Sequence, residues 1–128
     1  MEDIKDIRSI RIFVDEFYSL VRKDALLGPV FENAIKDNWT SHLEKMYAFW
    51  NAALFGVAGF RGNPFAKHAP LAIEQQHFGR WLELFNETID RHFKGHVATD
   101  AKNRAILMAN MFLSRLQNMT GGSDKIIV

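Results

Sequence analysis

There is no cysteine anywhere in this chain of 128 residues. Disulfides, thiolate metal sites and a cysteine nucleophile are therefore excluded, and so is any cofactor attached through a C-x-x-C-H motif. Long apolar runs are also lacking, so nothing approaches the length needed to cross a bilayer. Nor is there an excess of one charge. Sixteen basic residues face 15 acidic ones, a formal net of +1, which gives no electrostatic case for nucleic acid or an anionic membrane. The opening Met1-Glu2-Asp3-Ile4-Lys5 is charged and has no apolar core, so no signal peptide is expected there, and the expected location is cytoplasmic.

What is present is hydrophobic and helical. Nearly half of the residues (48%) are hydrophobic, with 11 phenylalanines among them. The length suits one domain with a real core rather than two. It is expected to span 1–128, with 1–5 and 120–128 as loose ends. Four long segments show helical period and none shows strand alternation. The first is expected from about Asp6 to Ala25, with Ile10, Phe13, Phe17 and Val21 on one stripe and Tyr18 beside it. Gly28-Pro29 should then break the helix, leaving Val30-Phe31 to begin a short connector.

The second long segment should run from Asp37-Asn38 to about Phe55, with Trp39, Leu43, Met46, Trp50 and Ala53 on one stripe. His42, Met46, Phe49 and Ala53 form the neighbouring stripe. Three glycines and a proline between Gly56 and Pro64 rule out continuous helix there. A third helix is expected from about Ile73 to Phe93, with apolar stripes through Phe78, Leu82, Phe85 and Ile89 and through His77, Trp81, Leu84 and Thr88. Two adjoining faces mean more than one packing partner. A fourth would start at a Thr99 or Asp100 cap, turn Ala105, Met108, Phe112 and Leu116 inward, and stop at Gly121-Gly122-Ser123.

Some of these side chains could carry chemistry. Tyr18 and Trp81 have polar donors on large apolar rings, so each can sit in an apolar pocket and still aim at a ligand. His68 is an imidazole on a short segment between Pro64 and Pro70, where a ring can be held at a metal. Singly, each has an ordinary reading: a core-edge tyrosine, a packing tryptophan, a surface histidine. His77 is a rival metal ligand that competes with packing. His92 and His96 have the spacing of a helical two-histidine site, but Gly95 intervenes and no glutamate follows the first histidine.

Taken in order, the pieces form a pattern. Phe17-Tyr18 is followed by Val21-Arg22-Lys23-Asp24 and Gly28-Pro29-Val30-Phe31. Next come His42, Phe49-Trp50, the Gly62-Asn63-Pro64 turn before Lys67-His68, and Trp81-Leu82-Glu83-Leu84-Phe85. This series resembles the group III truncated haemoglobins over nearly the whole chain, from about Ile10 to Gln117. The resemblance implies an all-α fold, a two-over-two helical sandwich around a non-covalent haem b. By position it makes His68 the proximal iron ligand and Tyr18 and Trp81 the distal donors, with His42 at the distal histidine position. Phe31, Met46, Phe49, Trp50, Phe60, Leu71 and Phe78 are the expected haem-pocket residues, with Arg61 and Lys67 near the propionates.

The implied function is binding of dioxygen, carbon monoxide or nitric oxide at a five-coordinate iron. The competing enzymatic reading is peroxidase-like or nitric oxide dioxygenase chemistry. No flavin or nicotinamide fingerprint is present in the sequence, so that reading needs an external reductase. Two readings without haem are a helical interaction module and a di-iron bundle. The latter would need inward carboxylates, whereas Glu83, Glu87 and Asp90 are expected to face outward.

Overall fold

The computed structural model describes residues 1–59 and 74–118, with side chains as far as Ser114. The described residues form five helices and no strand. These are α1 (Ile7–Lys23), α2 (Gly28–Ile35), α3 (Trp39–Phe55), α4 (Gln75–His92) and α5 (His96–Asn118). Helix α1 packs on both α3 and α4, α4 packs on α5, and α3 also reaches α5. The expected all-α architecture is therefore present, with α1 as its centre.

Helix α1 starts where its local chemistry says it should. The Asp6 carboxylate accepts from the N–H groups of Arg8 and Ser9 at 3.0 and 3.3 Å, and Arg22 and Lys23 complement the dipole in the last turn. Its inward face is wider than one stripe: Ile10, Phe13, Val14, Phe17, Tyr18 and Val21 are all buried. Such a broad face is what a helix needs when it must cover two neighbours.

Gly28-Pro29 does not break structure into a connector; it starts α2. Proline is at home in a first turn, where its missing N–H had no partner to lose. Gly28 is required by a close approach, since a Cβ there would lie 2.7 Å from the Arg22 carbonyl oxygen. Asp24 closes the corner by accepting from the N–H groups of Leu26 and Leu27 at 3.1 and 3.0 Å. Asn38 precedes α3 as expected, although its side chain makes no capping bond.

The start of the chain is not a loose end. Ile4 is buried in the core, and Lys94 N–H donates to the Glu2 carbonyl at 3.0 Å. The Asp3 carboxylate accepts from Val97 and Ala98 N–H at 2.9 and 2.8 Å. Asp3 thus caps α5 from the far end of the sequence, and α5 begins at His96 rather than at a local Thr99 or Asp100 cap. Gly95, at φ 145°, makes room for it; a Cβ there would meet the Asp3 carboxyl at 2.4 Å. On α5, Ala101, Ala105 and Phe112 are fully buried and Met108 is half-buried. Leu116, Gly121-Gly122-Ser123 and the 120–128 tail lie outside the described side chains.

Burial opposes ionisation of Asp3, but the Val97, Ala98 and Ile4 N–H groups outweigh it and hold the carboxyl below its ordinary value. A lowered folded pKa means that the stabilisation is fully present above the unfolded carboxylate range and is lost as pH falls through the folded value. Asp3→Ala should therefore cost about 1 kcal/mol in urea unfolding at neutral pH, the usual worth of a helix cap. The gap between variant and parent should close on acidification. A pH-independent gap would mean that Asp3 acts without its charge.

Candidate functional site

The core of the site is a run of aromatic rings from three helices. Phe85 of α4 stacks on Trp50 of α3 at 5.2 Å and on Trp81 at 5.7 Å, so one phenyl lies between two indoles. From α1, Phe17 meets Trp81 edge-on at 5.4 Å and Phe85 at 5.3 Å. Phe13 makes edge contacts with Trp50 and Phe85 at 5.7 and 5.8 Å. These stacked and edge geometries are those that aromatic quadrupoles favour.

The three distal residues read from the sequence are brought to this cluster. Tyr18 and Trp81 are each 3% exposed and His42 is 8% exposed, so all three are interior. Phe17 bridges the two donors, touching Tyr18 at 4.9 Å and Trp81 at 5.4 Å. His42 faces inward, its ring edge-on to Tyr18 at 5.0 Å. Burial pushes the Tyr18 phenol well above its ordinary value, so the hydroxyl keeps its proton and remains a donor. Trp81 Nε1 is buried and has no hydrogen-bond partner among the described residues. Buried indole N–H groups are usually paired, so the described residues leave this donor without the partner such a group normally has.

The expected pocket residues divide into two groups. Phe31 packs against Tyr18 at 6.4 Å, Trp50 is held by Phe13, Phe49 and Phe85, and Phe78 stacks on Phe112 at 6.2 Å. Met46 and Phe49 on α3 are only half-buried, as are Ala53 and Leu54, which leaves an apolar helix face able to take a flat ring. Phe60, Arg61, Lys67, His68 and Leu71 lie outside the described residues.

His77 is spent locally. Its Nδ1 accepts from the Glu74 N–H at 2.9 Å as half of a capping box at the start of α4. That bond places the ring proton on Nε2, making that atom a donor and not a metal ligand. His92 is engaged by Glu16, which also takes Arg91 at 2.7 Å. Among the described residues no group of three or more His, Asp or Glu could hold a metal. Glu83, Glu87 and Asp90 are exposed, as the argument against a di-iron bundle anticipated.

Trp39 has a larger part than its place on a stripe suggested. Its ring touches Tyr18 at 6.0 Å and His42 at 5.8 Å. Its outer face carries the Arg22 guanidinium at 4.5 Å, and its N–H donates to Glu32 at 3.4 Å. Its position one turn before His42 was the available signal. Outside it, Tyr18, Arg22, Glu32, Trp39 and Tyr47 line a surface cleft of about 530 Å³.

A family model described as bacterial-like globin matches residues 2–116. The chain belongs to this globin family. It is 36% identical to the group 3 truncated hemoglobin ctb of Campylobacter jejuni over 115 residues, 87% of each chain. The crystal structure of a group III truncated hemoglobin from Campylobacter jejuni superposes with a TM-score of 0.80 at 31% identity, covering 91% of this chain and 95% of the other. The group III resemblance read from the sequence and the truncated-globin fold are thus both shown. Globins are haem-binding proteins with small gaseous ligands, and the buried indole donor and the apolar α3 face fit that cofactor. Among the described residues, no helix of this globin is long and apolar enough to cross a membrane.

His77→Ala should loosen the first turn of α4 by about 1 kcal/mol and leave the visible spectrum of the haem-loaded globin unchanged. A changed Soret band would make His77 an iron ligand after all.

Proposed function

We propose that this globin binds dioxygen, and with it carbon monoxide and nitric oxide, at the five-coordinate iron of a haem b held by His68, with Tyr18 and Trp81 as distal hydrogen-bond donors. The observation that carries the reading is the Trp81 indole N–H, buried with no partner among the described residues, its ring separated from the Tyr18 ring by Phe17, which touches both. The haem, when bound, supplies reversible coordination of a diatomic gas and polarises dioxygen more than carbon monoxide. Trp81 donates from α4 and the protonated Tyr18 hydroxyl donates from α1, so a polarised ligand meets donors from two walls. Phe17 and Phe85, the latter backed by Trp50, keep water from the indole, which strengthens its hydrogen bond. His42, edge-on to Tyr18, orders the remaining side of the tyrosine ring.

One hydrogen bond to a partly charged acceptor is worth about 1.5–3 kcal/mol, or about one to two decades in release rate. Tyr18→Phe and Trp81→Phe should therefore each speed dioxygen release by about tenfold or more, measured by stopped flow. Carbon monoxide release should change much less. Equal acceleration of both gases would mean that the two rings act by bulk, and the donor reading would fail.

A further inference from the structure

Helices α1 and α4, which carry Tyr18 and Trp81, meet through two kinds of contact. Toward the C-terminal half of α4 the contact is mainly between rings, with Phe13 and Phe17 against Phe85 and with Phe93 closing on Phe13, and at its end Glu16 takes Arg91 and His92. Toward its start the contact is polar: Arg80 Nε donates to Asp24 Oδ1 at 2.7 Å. Arg80 is the residue immediately before Trp81. Asp24 is the C-cap of α1, beyond Tyr18 on the same helix.

Asp24 is unusual among the acidic partners in these ion pairs. Its side chain is 8% exposed, against 27% for Glu16, which pairs with Arg91 and His92 at the far end of α4. Both of its oxygens are used: Oδ2 takes the N–H groups of Leu26 and Leu27, while Oδ1 takes the guanidinium. The carboxylate is therefore fixed to the α1–α2 corner, where Gly28 leaves no slack against the Arg22 carbonyl. Burial opposes its ionisation, yet the Arg80 bond and the two N–H groups hold its pKa below the ordinary range. A charge with two backbone anchors is a rigid point from which to hold a neighbouring helix. Glu83, the other partner of Arg80 at 3.6 Å, is an exposed residue on α4 itself and ties nothing across.

We propose that the Asp24–Arg80 ion pair positions the distal donors: it fixes the start of α4 against the corner of α1 and so sets the aim of the Trp81 N–H relative to Tyr18. This rests on Trp81 being a ligand donor. The ring contacts of α1 with α4 are edge-on pairs, which fix a position less sharply than a charge-assisted bond at 2.7 Å, and the Glu16–Arg91 pair holds only the far end of α4. Asp24 and Arg80 touch no ligand; they act through Trp81.

The test uses the haem-loaded globin. Asp24→Asn keeps an acceptor for the corner but removes the charge; Arg80→Gln removes the partner and leaves the corner intact, which covers the case in which the first variant folds poorly. Each should speed dioxygen release by about threefold or more, as coupled neighbours do, with carbon monoxide release nearly unchanged. The double variant should be no faster than either single one. In a Trp81→Phe background Asp24→Asn should add nothing. The Trp81 indole N–H signal in the NMR spectrum with carbon monoxide bound should shift in both single variants. Folded variants with unchanged release and an unmoved indole signal would overturn the proposal, as would an Asp24→Asn effect that persists without Trp81. If Trp81→Phe itself leaves dioxygen release unchanged, the donor reading fails beneath it. If Trp81→Phe accelerates release and Asp24→Asn does not, the clamp alone fails.

Discussion

A buried hydrogen-bond donor that the protein leaves unused is costly, about 1–3 kcal/mol for an unmet polar group. Trp81 Nε1 is in that position among the described residues. The surrounding structure is arranged so that this cost is met and the indole cannot turn away to find water. Phe85 covers one face, Phe17 closes the edge, and Trp50 backs Phe85 from α3. Aromatic pairs of this kind add about 0.5–1.5 kcal/mol each beyond the area they bury, so a few of them outweigh one unmet N–H.

The same rings join three helices. Phe13 and Phe17 come from α1, Trp50 from α3, and Trp81 and Phe85 from α4. The cluster that steadies the donor is therefore also the junction of the helix sandwich. Stability and site are not separable at these positions. Tyr18 lies at the edge of the cluster, buried enough to stay protonated and close enough to Phe17 and His42 to be fixed by them.

Much of this was legible in the sequence because helical period reports directly on burial. The two stripes of α4 predicted Phe78, Leu82, Phe85 and Ile89 on one face and His77, Trp81, Leu84 and Thr88 on the other, and all are buried except Leu82, which is half-buried. The start of α1 near Asp6 was read in place, and the Asp6 cap that fixes it is local chemistry. What was not readable depends on distant parts of the chain. Asp3 caps α5 from 94 and 95 residues away, so no window around His96 contains the signal. Gly28-Pro29 reads as a break because both residues break helices internally, yet either can begin one. The role of His77 turned on whether it sat mid-helix or in the first turn, and element boundaries are the weakest product of periodicity. The Arg80–Asp24 contact joins residues 56 apart that no spacing rule connects. His68 rests on family position, and it lies outside the described residues.

The most direct measurement is therefore the visible spectrum of the globin loaded with haem, in ferric, ferrous and carbon monoxide-bound forms, beside a His68→Ala variant. The account predicts a sharp Soret band that moves on adding carbon monoxide and that degrades in the variant. Failure to retain haem, or a His68→Ala spectrum identical to the parent's, would contradict it, leaving the tyrosine, tryptophan and histidine as packing residues or the iron in the hands of another ligand.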